Sequence, residues 1–441
     1  MRPLEWCLVL AFFPLVLLAF GPPAWRAYWR PLSVVPAFVA LLQVALEGWR
    51  WQLVPLYLLA AVLPIIALVA RDRQPARWLR RGAGVAVAGI VATSAFAAGY
   101  ALPVITLPAP TGPYAVGVVD RELVDTARDR RLMATVWYPA AAPGEAAPLT
   151  HYPDQLMAGM ANLTGLPGIV FQHLRYIDVA ASEGAPILAD GEPFPVLVFS
   201  HGMTGMRLQN ASMLQDLASW GYVVLALDHT DAAAVTTFPD GETRFYDLTR
   251  FGLPADDAPS TATVETNVFP VWVADQQFAF DTLEEWQEND PLFAGTLDLD
   301  HLGAFGHSFG GATALEVCRV DARCQAAADL DGGIYGAIRR EPTVRPTLIM
   351  SSAGSRDVPG AMAGWGNVLA LAEGPARWLE LPGSSHLSFT DMELLSPLLP
   401  PPGFDPRAGL AQVDHDLRVF FDTHVRGQAD PGGYTLPGIK L

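Results

Sequence analysis

Charge is absent from four long stretches near the start of this 441-residue chain: residues 6–20, 31–46, 53–70 and 82–107 contain no Asp, Glu, Lys or Arg. They run for 15, 16, 18 and 26 residues. A helix rises about 1.5 Å per residue and needs roughly 20 apolar residues to cross a bilayer core. The last two stretches meet that length. The first two meet it if Trp25, Tyr28, Trp29, Trp49 and Trp51 sit in the interfaces and flanking arginines snorkel. Four spans are therefore expected. The first stretch also suits the core of a signal peptide, but Glu5 stands where a basic flank belongs and three further stretches follow. None of the stretches holds an ionisable residue that would mark an ion path, which argues against a transporter.

Two further scarcities divide the chain. Before residue 111 there are three acidic residues against nine Arg; after it there are 19 basic residues against 42 acidic, a net charge of −23. This pattern predicts an all-α membrane region over residues 1–110 and a separate soluble domain over 111–441. A domain so short of positive charge cannot replace the counterions of a nucleic acid, so no nucleic-acid partner is expected. Nor does charge hold it to anionic lipid; the spans supply the anchoring. Cysteine is scarce too. Besides Cys7 there are only Cys318 and Cys324, which read equally as a short disulfide or as two buried thiols. His229 and Asp231 are close in sequence, but no helical His pair or Cys cluster accompanies them, so neither a metal nor a cofactor is expected.

Arginine placement sets the expected orientation. Residues 71–81 hold five Arg and one Asp, and Arg26 and Arg30 precede the second stretch, whereas Arg50 faces Glu47 between the second and third. Basic loops stay in the cytoplasm. Four spans then place the soluble domain outside it, and the expected setting is a bacterial cytoplasmic membrane.

Within the soluble domain, residues 114–119 and 132–138 read as an opening antiparallel strand pair. Residues 150–192 read as a mixed helical insertion. Short apolar runs at 196–200, 222–227, 302–305, up to 330, 347–351 and 378–381 then alternate with helical patterns at 209–220, 269–287 and 311–318. Strands covered on both faces by helices read this way, which predicts an α/β domain with a mostly parallel sheet. The polar stretch 228–266 is too long for an ordinary connection and is expected to carry a functional loop.

The run at 302–305 leads into Gly306-His307-Ser308-Phe309-Gly310, and Gly311-Ala312-Thr313 opens a helix directly after it. A strand, a sharp turn and a helix around Gly-x-Ser-x-Gly form a nucleophile elbow, the signature of an α/β-hydrolase. Its glycines leave room for a serine held in a strained turn. A serine hydroxyl needs a base and an orienting acid, which follow it in chain order in this fold. His386, on the small-residue loop after the last predicted strand, is the candidate base; His415 lies in a charged helix-like segment and is the poorer one. Asp329, Asp331 and Asp357 compete for the acid. Asp331 ends the run after the nucleophile helix, Asp357 follows the next strand, and position along the chain decides between neither. The oxyanion needs two backbone N–H donors, expected from Phe309 and from Met203, which follows Phe199-Ser200-His201-Gly202.

Gly306-His307-Ser308-Phe309-Gly310-Gly311-Ala312-Thr313, together with Phe199-Ser200-His201-Gly202, Gly112-Pro113-Tyr114 and Leu330-Asp331, resembles the plasma-type (group VII) platelet-activating factor acetylhydrolases and their bacterial relatives. The resemblance covers roughly residues 111–425. It implies Asp331 rather than Asp357 as the acid, His386 as the base, and Met203 and Phe309 as oxyanion donors. It also implies calcium-independent cleavage of short or oxidised sn-2 acyl chains of phospholipids. The membrane spans depart from the secreted members. Two other readings stand beside a short-chain acyl esterase: a cutinase-like polyester hydrolase, and a catalytically inactive domain that binds a ligand or partner.

Overall fold

The computed structural model describes residues 1–69, 76–189, 191–254, 260–429 and 433–439, and of Arg26 the backbone only. Part of the arginine-rich stretch 71–81 thus lies outside the described residues, as does part of the loop 228–266. The chain divides into two compact units. One comprises Met1–Ile105, Ile169–Tyr176 and Leu395–Leu398, and the other comprises Thr106–Gly168, Ile177–Leu394 and Leu399–Leu441.

Among the described residues of the first unit, four helices are long and apolar enough to cross a membrane: Pro3–Phe20, Trp29–Glu47, Trp51–Val69 and Arg77–Ala101. The first begins three residues before the uncharged stretch and therefore takes Glu5 inside. This corrects the expectation that no span holds an ionisable residue. The Glu5 carboxylate is fully buried. Arg50, itself fully buried, approaches it to 3.3 Å, and Arg2 donates to it from Nε at 3.0 Å. Arg50 also donates to the carbonyl of Ala98 at 3.1 Å and to that of Leu102. Segment Ile169–Tyr176, from the helical insertion at 150–192, joins this unit. Gln172 accepts from the Trp51 N–H at 3.0 Å, and the Tyr176 hydroxyl donates to the Trp49 carbonyl at 2.7 Å.

The second unit carries the strands β1 (Ala115–Asp125), β2 (Arg130–Ala140), β3 (Ser182–Glu183), β4 (Phe194–Ser200), β5 (Val223–Asp228), β6 (Val235–Thr237), β7 (Thr243–Phe245), β8 (Leu297–His307), β9 (Cys324–Leu330), β10 (Thr347–Ser352) and β11 (Ala376–Leu381). Nine of them form one sheet in the order β11-β10-β9-β8-β4-β5-β2-β1-β3. From β5 to β11 the neighbours run parallel; β2 lies antiparallel to both β5 and β1. This is an α/β-hydrolase fold with a mostly parallel sheet. Every residue of β5 and β10 is buried, which is why residues 223–227 and 348–350 within them are continuously apolar rather than alternating. Helices Ala211–Ser219, Phe269–Asn289, Phe309–Val320 and Pro406–His424 accompany the sheet. Segment 228–266 holds the β6–β7 hairpin and the short helix Thr261–Asn267. Cys318 and Cys324 are joined in a disulfide across the turn from the Phe309–Val320 helix to β9, their Cα atoms 4.9 Å apart.

Candidate active site

Strand β8 ends at His307, and the next helix begins at Phe309, so a single residue makes the turn. That residue is Ser308, held at φ 56° and ψ −122°. A side chain in the left-handed half of φ space is strained and persists only where its surroundings dictate it. Here close packing does. A β-carbon on Gly310 would stand 2.1 Å from the Ser200 carbonyl oxygen, and one on Gly306 would stand 2.4 Å from the Gly310 backbone. The Ser308 N–H donates to the Leu330 carbonyl at 2.9 Å, tying the turn to the end of β9.

The first residue past β9 is Asp331, also at positive φ (59°). Its N–H bonds the Met350 carbonyl at 2.7 Å, so the acid sits where β9 and β10 end side by side. The fully buried carboxylate accepts from the Ser352 N–H at 2.6 Å, the Ser352 hydroxyl at 3.0 Å and the Ser355 hydroxyl at 2.6 Å. Its fourth partner is His386. Nδ1 of His386 lies 2.7 Å from Asp331 Oδ2, and Nε2 lies 2.9 Å from Ser308 Oγ. Three residues spread over 78 positions of the chain thus form one hydrogen-bonded line.

The rival acids fall elsewhere. Asp357 ends the exposed turn Gly354–Asp357, and among the described residues no hydrogen bond joins it to His386. Asp329 is fully buried and accepts from the Gly332 N–H at 2.8 Å; burial pushes its carboxyl well above the usual range, with Asp331 adding to the effect. It shapes the turn that presents Asp331.

The loop carrying His386 is fastened at several points. Ser385 caps the turn His386–Phe389, and its hydroxyl donates to the buried Glu393 at 2.5 Å. The His386 carbonyl lies 2.9 Å from Nε2 of His307, whose Nδ1 is 3.2 Å from Gln209 Nε2. Burial, reinforced by the neighbouring His386, pushes His307 down to about 3, so its imidazole is neutral near pH 7. The neutral ring donates from Nε2 to the His386 carbonyl and accepts at Nδ1 from Gln209. His307, named from sequence only as part of the elbow, therefore braces the loop of the candidate base.

The candidate oxyanion donors lie to either side of the serine. Phe309 opens the helix after it, and Met203 follows Gly202, where an added β-carbon would stand 3.1 Å from Ser308 Cβ. Among the described residues neither backbone N–H is taken by another acceptor. Beside them lies an apolar cluster of Leu253, Phe269, Trp272 and Phe309, with Met203, Leu248, Phe251 and Tyr335 packed against it.

A family model described as "Platelet-activating factor acetylhydrolase, isoform II" matches residues 101–244. The guinea pig (Cavia porcellus) platelet-activating factor acetylhydrolase is 26% identical over 52% of this chain and 56% of its own length. The dog (Canis lupus familiaris) enzyme is 25% identical over 53% of this chain and 58% of its own length. Over this part of its length the chain is similar to the platelet-activating factor acetylhydrolases. It spans about half the length of the curated relatives it matches. Among solved structures, the ferulic acid esterase from Streptomyces cinnamoneus superposes with a TM-score of 0.63 at 26% identity, covering 77% of this chain and all of that one.

Several residues around the serine carry no signal in the linear sequence. Gln209, Ser352, Ser355 and Glu393 are ordinary polar residues until the fold brings them to His307, Asp331 and Ser385. His229, weighed in the sequence only as a metal ligand, is instead fully buried against Asp275 and Ser200.

Proposed function

We propose that the chain is a membrane-anchored serine carboxylic ester hydrolase that cleaves short-chain acyl esters, including sn-2 acyl groups of phospholipids, through an acyl-enzyme on Ser308. The observation that carries this reading is the line Ser308–His386–Asp331, with contacts of 2.9 and 2.7 Å, beside two unengaged backbone N–H groups. Similarity to ester hydrolases on both the sequence and the structural side supports it.

The chemistry follows from the geometry. Ser308 Oγ attacks the ester carbonyl carbon while His386 Nε2 takes its proton; the forming imidazolium is held by Asp331 at Nδ1. The carbonyl oxygen becomes an oxyanion and accepts from the Met203 and Phe309 N–H groups. Such preset donors are worth roughly 10²–10³ in rate each. Collapse breaks the bond to the alcohol oxygen, which takes the proton from His386. Water, deprotonated by His386, then attacks the acyl-enzyme and releases the carboxylic acid and a free Ser308.

The four apolar helices are read as the anchor, and the arginine-rich flanks favour a hydrolase unit outside the cytoplasm. A tethered site of this kind suits an ester presented at a lipid surface. The deciding test is hydrolysis of p-nitrophenyl acetate by the full chain and by Ser308→Ala. Loss of activity in the variant is expected. Activity surviving the substitution overturns the assignment, and an inactive wild-type chain favours a ligand-binding domain. Long-chain polyesters and a feruloyl ester belong in the same panel.

A further inference from the structure

A second Ser–His–Asp array lies inside the hydrolase unit. His229 Nε2 is 3.0 Å from Ser200 Oγ, and His229 Nδ1 is 3.1 Å from Asp275 Oδ2. All three residues are fully buried, so no substrate reaches them and the array cannot be catalytic. Its charge is settled from one end. Asp275 accepts from Arg130 Nε at 2.7 Å, Arg130 Nη2 at 2.8 Å and Arg128 Nη1 at 2.8 Å. Burial pushes that carboxyl up, but the Arg130 charge and the hydrogen bonds from His229 and Arg130 prevail and hold it below the usual range. A carboxylate there accepts a hydrogen bond from the Nδ1–H of His229, which leaves Nε2 to accept from the Ser200 hydroxyl. Trp272 stacks flat on the ring, 3.8 Å between centroids.

The next link is a backbone one. The His229 N–H donates to His201 Nε2 at 3.1 Å. A ring nitrogen that accepts carries no proton, so the one proton of neutral His201 is on Nδ1, and it donates to the Gly202 carbonyl at 2.7 Å. Burial drives the His201 pKa well below its ordinary value, with His229 adding to the effect, which keeps this tautomer uncharged. The Gly202 carbonyl also accepts from the Gly205 N–H at 2.7 Å. In a planar trans peptide, the carbonyl of one residue and the N–H of the next point in opposite directions. Whatever fixes the Gly202 carbonyl therefore fixes the Met203 N–H, at a glycine packed against the nucleophile.

We propose that His201 is the positioning residue of the oxyanion hole: it holds the Gly202 carbonyl so that the Met203 N–H faces the oxyanion formed at Ser308. The buried Ser200–His229–Asp275 array is the brace that seats the strand ends on which His201 depends. This rests on Ser308 being an acyl-transfer nucleophile. It goes further by explaining why the fold keeps a second array that never meets substrate.

Two near-isosteric substitutions separate the two ring nitrogens. His201→Asn places an amide donor near the Nδ1 position and preserves the bond to Gly202. His201→Gln reaches the Nε2 position and preserves the bond from His229, leaving Gly202 without its side-chain partner. The full chain, in detergent micelles, is assayed per active site counted with a fluorophosphonate, so misfolded protein is discounted. His201→Gln is expected to lower kcat about 10- to 100-fold, short of the roughly 10²–10³-fold that losing an oxyanion donor outright costs. KM should stay within about threefold, because the ground-state ester does not need the donor. Affinity for a trifluoromethyl ketone, which binds as an oxyanion adduct, should fall in parallel with kcat, and His201→Asn should recover most of both. The proposal is overturned if His201→Gln retains kcat within threefold of wild type, if the two variants are equally impaired, or if kcat falls while ketone affinity does not. A wild-type chain without Ser308-dependent hydrolysis overturns the underlying reading as well, and is told apart by the Ser308→Ala control.

Discussion

Replacing Asp331 by Asn tests the acid assignment most directly, because the structure specifies what the extra N–H₂ would meet. Asp331 Oδ1 accepts from the Ser352 N–H at 2.6 Å, a donor that cannot turn away. An asparagine must therefore keep its oxygen there and place its nitrogen at the Oδ2 position. The Ser352 and Ser355 hydroxyls that now donate to Oδ2 can rotate and accept instead. His386 has no such freedom. Its Nδ1, 2.7 Å away, would face a donor and could only accept, which puts the ring proton on Nε2, against Ser308 Oγ at 2.9 Å. The serine then has no base. A wrong-tautomer imidazole of this kind costs about 10⁴ in kcat, or about 5.5 kcal/mol of barrier. The fold should survive, since the volume and three of the four contacts are kept. The assay is steady-state hydrolysis of p-nitrophenyl acetate by the full chain, normalised to detergent-extracted folded protein, with Asp357→Asn alongside. Asp357 is exposed and, among the described residues, makes no hydrogen bond to His386, so its substitution should stay within about twofold of wild type. An Asp331→Asn chain within tenfold of wild type, or an Asp357→Asn chain equally impaired, refutes the reasoning.

Other outcomes can be checked more briefly. His307 has a folded pKa of about 3, below the unfolded value of about 6.5, so the stability it contributes is present above pH 6.5 and lost as pH falls toward 3. The slope is about 1.4 kcal/mol per pH unit. His307→Gln keeps a donor for the His386 carbonyl without the titration, so between pH 6.5 and 4 the wild-type thermal inactivation midpoint should fall faster than the variant's; parallel profiles speak against the buried neutral ring. Across a series of p-nitrophenyl and sn-2 phospholipid esters, rate should drop sharply with acyl length, because the apolar cluster beside Phe309 is filled by Leu253, Phe269 and Trp272. Comparable turnover of long-chain esters would contradict this. A reporter joined at residue 112 that works only outside the cytoplasm should be active; activity solely of a cytoplasmic reporter would reverse the assigned orientation.

What the sequence determined by itself is what is local along the chain. The proposed nucleophile elbow is eight contiguous residues whose turn and flanking glycines depend on one another directly, so Ser308 could be named from them as the candidate. Strand runs such as β5 and β10 were legible because burial on both faces keeps their central residues, 223–227 and 348–350, continuously apolar. The four apolar helices were legible because a long uncharged run has few other uses, though not their limits. Glu5 looked like a boundary and became interior once Arg50 arrived beside it from 45 positions away.

What only the tertiary structure decided is the partnership of polar residues. Asp331 and Asp357 follow neighbouring strands and look alike in the chain; the positive φ of Asp331 and the side-by-side ends of β9 and β10 aim the first at His386, while the second ends an exposed turn. Ser200, His229 and Asp275 come from β4, the residue after β5, and the Phe269–Asn289 helix, and nothing in their spacing announces that they meet. The physical reason is the same in each case. Apolar patterning responds to burial, which a residue's own neighbours in sequence reveal. A hydrogen bond depends on direction to within a few tenths of an ångström, and only the packed sheet sets that.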